Sequence, residues 1–192
     1  MMNITRLSKL TDERWLNLFA ADFEHNGHVG RWVFASRKAE PHQHRGNDAV
    51  VIVPILRNPG EEPRLVAVRE FRVPVGDYVI GLPAGLIEEG EPIEEAIRRE
   101  LLEETGLELV RIDSISPPLL SSSGMTDEAA AMAFVEVHGG PDHHPSPEAS
   151  EDIEVLLLDQ ADLARICSAT DVHLDVKAWL VFWFLLQRGK IE

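Results

Sequence analysis

The sequence predicts an α+β fold, with a mixed β-sheet between helices and a small antiparallel β region ahead of it. Three observations predict this. Short β-prone runs recur along most of the 192-residue chain. One densely charged helical segment interrupts them near the middle, and two helical segments close the chain. With 44% hydrophobic residues, the chain can bury one main core.

Taken in order, residues 15–20 (WLNLFA) and 31–35 (RWVFA) are β-prone runs, separated by the turn-type cluster EHNGH at 24–28. HQHRG at 42–46 reads as a connector, which places a boundary between a β extension at 1–45 and a main domain at 46–192. The runs DAVVIVPIL (48–56) and RLVAVREF (64–71) form the next strand pair, joined by the turn Asn58-Pro59-Gly60. A short strand at 78–80 leads into Leu82-Pro83-Ala84-Gly85. The charged helix should run from Pro92, a favoured first helical residue, to Thr105, with Gly106 as its left-handed cap. Strands are expected at 111–116, 129–137 and 153–158, then helices at 161–168 and 175–187. The last helix carries Trp179, Phe182, Trp183 and Leu186 and is apolar almost all round, so it must be covered; packing on the domain's own sheet is expected.

Bulk properties exclude several classes. A net charge of −15 argues against a nucleic-acid-binding surface, which needs a basic stripe. It leaves a phosphate-bearing substrate open, because bound cations change the local sign. The single Cys167 has no partner for an internal disulfide and suits a reducing compartment. The start, MMNITRLSKLTDERW, lacks a continuous apolar stretch of the signal-peptide kind, and the longest apolar run, 178–186, is far below the ~20 residues needed to span a bilayer. A cytoplasmic protein with no membrane segment is the expectation.

The functional signal lies in GLIEEGEPIEEAIRRELLEETGL, residues 85–107. Positions i, i+3 and i+4 share a helix face, which puts Glu100, Glu103 and Glu104 together. Glu94–Arg98 and Glu95–Arg99 are favourable i,i+4 pairs of a solvated surface. Glu100 and Glu104 are a like-charged i,i+4 pair, and no Lys or Arg follows them in the helix. Acids in a last turn also oppose the helix dipole. A local rule broken in this way points to a functional site. A hard divalent cation such as Mg2+ is the natural neutraliser, because it prefers carboxylate oxygens.

The same segment resembles the Nudix box position for position, through Gly85, Glu91, Arg99, Glu100, Leu101, Glu103, Glu104, Gly106 and Leu107. A pattern of this length with fixed gaps is far more specific than a lone glycine motif. The resemblance implies an α/β/α sandwich and hydrolysis of a nucleoside diphosphate linked to another group, with Mg2+ or, as a substitute, Mn2+. It implies Glu100, Glu103, Glu104 and the Ala84 carbonyl as metal ligands, with Glu91 and Arg99 orienting the helix and its ligands.

Glu70-Phe71-Arg72 before Leu82-Pro83-Ala84-Gly85 is similar to the ADP-ribose pyrophosphatase branch, in which Arg72 would contact substrate phosphates; the plain alternative is a strand-end arginine. In that branch an N-terminal β-domain exchanges between subunits, so the resemblance implies a homodimer. Ser122-Ser123-Gly124-Met125-Thr126-Asp127-Glu128 looks like the Ser-Pro-Gly-x-Thr-x-Glu segment, making Gly124 and Glu128 substrate-loop candidates. Ser123 replaces the proline that marks ADP-ribose preference, which leaves the exact sugar open.

The polar loop HGGPDHHPSPEAS, residues 138–150, precedes Glu151-Asp152-Ile153. By resemblance Glu151 is a metal ligand and Glu148 the base, although Glu151 could serve as both. His138, His143 and His144 lack metal-ligand spacing and read as solvated. The leading expectation is ADP-ribose hydrolysis to AMP and ribose 5-phosphate. GDP-mannose or another nucleotide sugar is the alternative, since 151–156 (EDIEVL) also resembles that branch. A Nudix-fold binding protein without turnover is the third reading, and the intact carboxylates argue against it.

Overall fold

The computed structural model describes residues 1–42, 46–139, 145–146 and 151–191. The chain divides into two compact units, Met1–Asp48 with Pro118–Ala130, and Ala49–Pro117 with Ala131–Glu192. The observed architecture is the expected α+β one: a separate three-stranded antiparallel sheet and a larger mixed sheet with a few helices.

The first unit is built on β1 (Asn3–Lys9), β2 (Asn17–His25) and β3 (His28–Ser36), in the order β1-β2-β3. Asn26 and Gly27, at φ 50° and 76°, make a two-residue turn of the kind that matches strand twist. Pairing therefore continues through Glu24 to His25, opposite His28, where the sequence had suggested only a turn cluster. Trp15 and Leu16 precede β2 instead of belonging to it. Strand β1 was not foreseen. Nearly all its residues are exposed, so it carries no apolar signal and owes its form to pairing with β2. Phe19, Ala21 and Phe34 form a small core, with the Phe19 and Phe34 rings 6.0 Å apart. The two-residue β9 (Leu119–Leu120) pairs with Ala130 and Ala129.

The larger sheet, in the second unit apart from Ala129 and Ala130, lines up β4 (Ala49–Leu56), β5 (Arg64–Arg72), β6 (Asp77–Gly81), β8 (Glu108–Ile115), β10 (Ala129–His138) and β12 (His173–Leu174) as β12-β6-β5-β4-β10-β8. Strand β7 (Ala84–Leu86) pairs with β4, and β11 (Ile153–Leu158) pairs with β5. The β12–β6 pair is parallel and the β5 pairs are antiparallel, so the sheet is mixed. Helix α1 (Ile93–Glu100) buries Ala96 and Ile97, and Leu101 just beyond it, among Val50 and Ile52 of β4 and Val135 and Val137 of β10. This packing fixes the charged helix on the sheet.

Helix α2 (Gln160–Ser168) starts from a capping box in which Asp159 accepts the Ala161 and Asp162 amides. Helix α3 (Val176–Arg188) buries Ala178, Val181, Phe182 and Leu185. The all-round cover expected for it is not what the structure shows: Val176, Leu180, Trp183 and Phe184 stay exposed, with Trp179 and Trp183 stacked at 6.2 Å. Phe182 is fully buried. Thermal or denaturant unfolding of Phe182→Ala should show a loss of about 3–5 kcal/mol, the usual cost of such a cavity. Among the described residues no helix is long and apolar enough to cross a membrane.

Candidate active site

Helix α1 begins after extended Pro92 with Glu94 and Glu95 in its first turn and Arg98 and Arg99 in its last, in accord with the helix dipole. The backbone then widens into a π-helical turn over Leu101–Thr105 and stops at Gly106, left-handed at φ 68° as expected. Such turns often mark functional sites. Thr105 Oγ1 donates to the Leu101 carbonyl at 2.5 Å, and the Ser146 amide donates to the Glu103 carbonyl at 2.8 Å. Glu100 and Glu104 turn inward, 8% and 4% exposed. Glu103 stays at the side, with 41% of its side chain exposed.

Gly85 makes room for this arrangement. A Cβ there would lie 1.7 Å from Glu100 Oε1, so any side chain would collide with the carboxylate. One residue earlier, the Ala84 amide donates to Glu104 Oε2 at 3.1 Å.

Arg99 organises the outer side. Its Nε and Nη2 grip Glu91 as a fork, both at 2.9 Å, while Nη1 reaches Glu100 at 2.6 Å and Glu103 at 3.3 Å. Nη2 also donates to the Leu86 carbonyl at 3.0 Å. The expected Glu95–Arg99 surface pair is therefore replaced by Glu91–Arg99. The reason is geometric: Glu91 also accepts the Glu88 amide at 2.9 Å and presents both oxygens to the planar guanidinium. The Arg99 hydrogen bond, then the Glu88 amide, hold the Glu91 carboxyl below its usual range, and Glu91 first of all raises the Arg99 pKa.

A residue that sequence reasoning passed over completes the cluster. Glu70 on β5 is 9% exposed and pairs with Arg72 at 2.8 Å. The signal was available, because Val66, Val68 and Glu70 share one strand face by the period of two, and the valines are buried. Arg72 thus lies on Glu70, at the end of β5. Glu151 lies two positions before Ile153, the first residue of β11, which pairs with Glu70. The segment is held there by the Phe71 amide on the Asp152 carbonyl at 3.2 Å and by the Tyr78 hydroxyl, which donates to the Asp152 carboxylate. Tyr78 had also gone unnoticed, and nothing in its local sequence marks it.

The electrostatics follow from burial and like charge. Burial raises the Glu100 pKa against the pull of Arg99, with Glu103 and Glu151 adding to the rise. Burial also raises Glu70, where Arg72 opposes and Glu151 adds. Glu104 is pushed up to about 8 by burial, then by Glu100, Glu151 and Glu70, against the Ala84 amide. Three buried carboxylates, Glu70, Glu100 and Glu104, and the half-buried Glu151 thus repel one another. Among the described residues no three acid, imidazole or thiol groups stand ready in ligating geometry. Arg99 engages one oxygen of Glu100, and the Ala84 amide one of Glu104. The donor set consists of hard carboxylate oxygens with excess negative charge, and it fits a hard divalent cation.

Gly124 and Glu128 belong to the other compact unit. There the Trp32 indole donates to the Gly124 carbonyl at 2.9 Å, and Arg37 pairs with Glu128 at 3.5 Å. His138 ends β10 and is exposed. Glu148, His143 and His144 lie outside the described residues.

Fold and carboxylate helix together define a recognisable class. A family model described as the NUDIX domain matches residues 46–180, and the chain belongs to that family. A Caenorhabditis elegans protein classed with the nudix hydrolases is 33% identical over 163 residues, 82% of this chain and 72% of that one. The ADP-sugar pyrophosphatase of Mus musculus is 33% identical over 137 residues, 68% of this chain and 62% of its own length. A solved structure described as an ADP compounds hydrolase superposes with a TM-score of 0.69 at 20% identity, covering 99% of this chain and 97% of that one, a likeness of fold.

Proposed function

We propose that the chain hydrolyses the diphosphate bond of a nucleoside diphosphate sugar, with ADP-ribose as the leading substrate and AMP and ribose 5-phosphate as products. The observation that carries this reading is the mutually repelling set of the buried Glu70, Glu100 and Glu104 with the half-buried Glu151, which needs a cation and has the oxygen donors for one. Mg2+ is the proposed ion, with Mn2+ as a substitute. The ADP-sugar name of the mouse relative supports the adenosine side of the substrate. Ser123, standing where the ADP-ribose type carries proline, keeps the sugar a matter for experiment.

Glu100 and Glu104, with Glu103, Glu151 and the Ala84 carbonyl, would hold the ion. When bound, it neutralises diphosphate charge and makes a water molecule more acidic. Glu148 or Glu151 takes the proton from the attacking water. Arg72 exchanges its Glu70 partner for a diphosphate oxygen, a geometry suited to a guanidinium. Glu91 fixes Arg99, and Arg99 keeps Glu100 and Glu103 aligned. Gly124 and Glu128 shape the substrate loop. A homodimer is proposed as the working form, supported by the exposed Ile4, Val29, Trp32 and Val33 of the N-terminal sheet.

The test is hydrolysis of a panel containing ADP-ribose, other ADP-sugars and GDP-mannose, with Mg2+, Mn2+ or EDTA. Turnover of ADP-ribose that EDTA stops is the expected result. Absence of turnover with every sugar and either metal would refute the hydrolase reading.

A further inference from the structure

Segment 122–128 is remote in sequence from the N-terminal strands, yet both belong to one compact unit. Strand β3 lies at the end of the order β1-β2-β3, and its outer edge is not left open. Ala35 donates its amide to the Met125 carbonyl at 2.8 Å and forms a parallel bridge with Thr126, while the Trp32 indole holds Gly124. The loop therefore adds to the sheet like a short extra strand, which is one way of covering an edge. Within the loop, the Met125 and Thr126 amides donate to the Ser122 carbonyl, and the Glu128 amide donates to Thr126 Oγ1.

At the end of this seam sits a lysine. Lys38 Nζ donates to Asp48 Oδ2 at 2.9 Å and to the Asp127 carbonyl at 3.0 Å, and it lies 3.6 Å from Asp127 Oδ2. The three side chains are only 14%, 14% and 18% exposed. Asp48 is tied in turn to the chain just after the loop, accepting the Ala129 amide at 2.9 Å and donating its own amide to the Ala129 carbonyl at 2.7 Å. One ammonium thus bridges the segment after β3 to both ends of the 127–129 stretch. Two of its N–H groups find acceptors in the Asp48 carboxylate and the Asp127 carbonyl, and the Asp127 carboxylate lies just beyond hydrogen-bond reach.

We propose that Lys38 is the positioning residue of the 122–128 loop, acting on substrate affinity by locking that loop to β3. This rests on the reading that the loop contacts the substrate. A purely structural role accounts poorly for the chemistry. A buried ion set is weak evidence of stability, and here Asp127 Oδ2 is buried without a hydrogen bond. What the lysine adds is geometry. Without it, Asp48 and Asp127, at 14% and 18% exposure, lose the ammonium they share, and repulsion between them loosens the loop from its edge.

The experiment compares wild type, Lys38→Arg, Lys38→Met and the double variant Lys38→Met/Asp127→Asn on two scales. The first is limited digestion by a glutamate-specific protease without substrate, following cleavage after Glu128. The second is steady-state kinetics on the sugar found by the panel. Lys38→Met should be cut about tenfold faster and show a KM raised about tenfold with kcat within about twofold, the mark of lost uniform binding. Lys38→Arg keeps the charge and should stay near wild type. The double variant relieves the repulsion and should fall between, and it carries the same test if Lys38→Met does not fold. Unchanged cleavage would overturn the claim that Lys38 holds the loop. Faster cleavage with unchanged KM would overturn the claim that the loop serves the substrate, leaving the hydrolase reading intact. A fall in kcat at constant KM would overturn the positioning role.

Discussion

Glu104→Gln should cut the rate of hydrolysis about a thousandfold, because it removes a carboxylate that would hold the cation, and the cation would supply the stabilisation of phosphoryl charge. The same change should stabilise the fold at pH 8 without added cation. Glutamine is isosteric and its carbonyl can still accept the Ala84 amide, while the buried charge is gone. The pH dependence has a definite sign. The carboxyl titrates near 4.5 when unfolded and is pushed up to about 8 in the fold, so between these values the folded state binds more protons. The contribution of protonated Glu104 is complete below about 4.5 and is lost as pH rises through about 8. Melting temperatures of the wild type in EDTA should therefore fall from pH 6 to pH 9, with a shallower fall in Glu104→Gln. A wild type as stable at pH 9 as at pH 6 would contradict the burial of this charge.

Gly85→Ala should also damage activity, for a steric reason. The new Cβ would sit 1.7 Å from Glu100 Oε1 and 1.9 Å from its Cδ. Because the obstacle is the end of a flexible side chain, Glu100 rotates away and the backbone can hold. Rotation breaks the 2.6 Å contact with Arg99 and takes a carboxylate out of the buried set. A loss of about a hundredfold in kcat/KM is expected, the scale reached when a catalytic group is displaced by an ångström or so. Circular dichroism should show the folded spectrum retained. Near-normal activity would mean that the position of Glu100 is not critical.

Much of this was legible because the carboxylate helix announces itself locally. The run from Pro92 to Gly106 contains its own start, amphipathic face and left-handed stop, so its place could be read without tertiary information. The strands of the main sheet were legible for a similar reason, since β4 and β5 are apolar runs bounded by turn residues. What stayed hidden depends on partners far along the chain. Strand β1 has no burial pattern of its own. The π-helical turn that sends Glu104 inward and leaves Glu103 at the side cannot be read from an ideal 3.6-residue period. Arg99 chose Glu91 over Glu95 because a chain segment ahead of the helix folds back to it. Lys38 is unmarked by its local sequence, because its partners Asp48 and Asp127 lie further along the chain.

The central claim, that the buried carboxylates form a cation site, is tested most directly by counting bound Mn2+ at pH 8 through the electron paramagnetic resonance signal of the free ion. Wild type should bind Mn2+ saturably, in competition with Mg2+, and Glu104→Gln should bind it at least about tenfold more weakly, as expected when a site loses a ligand or its support. Equal affinity in the two proteins, or no binding in the wild type, would contradict the account.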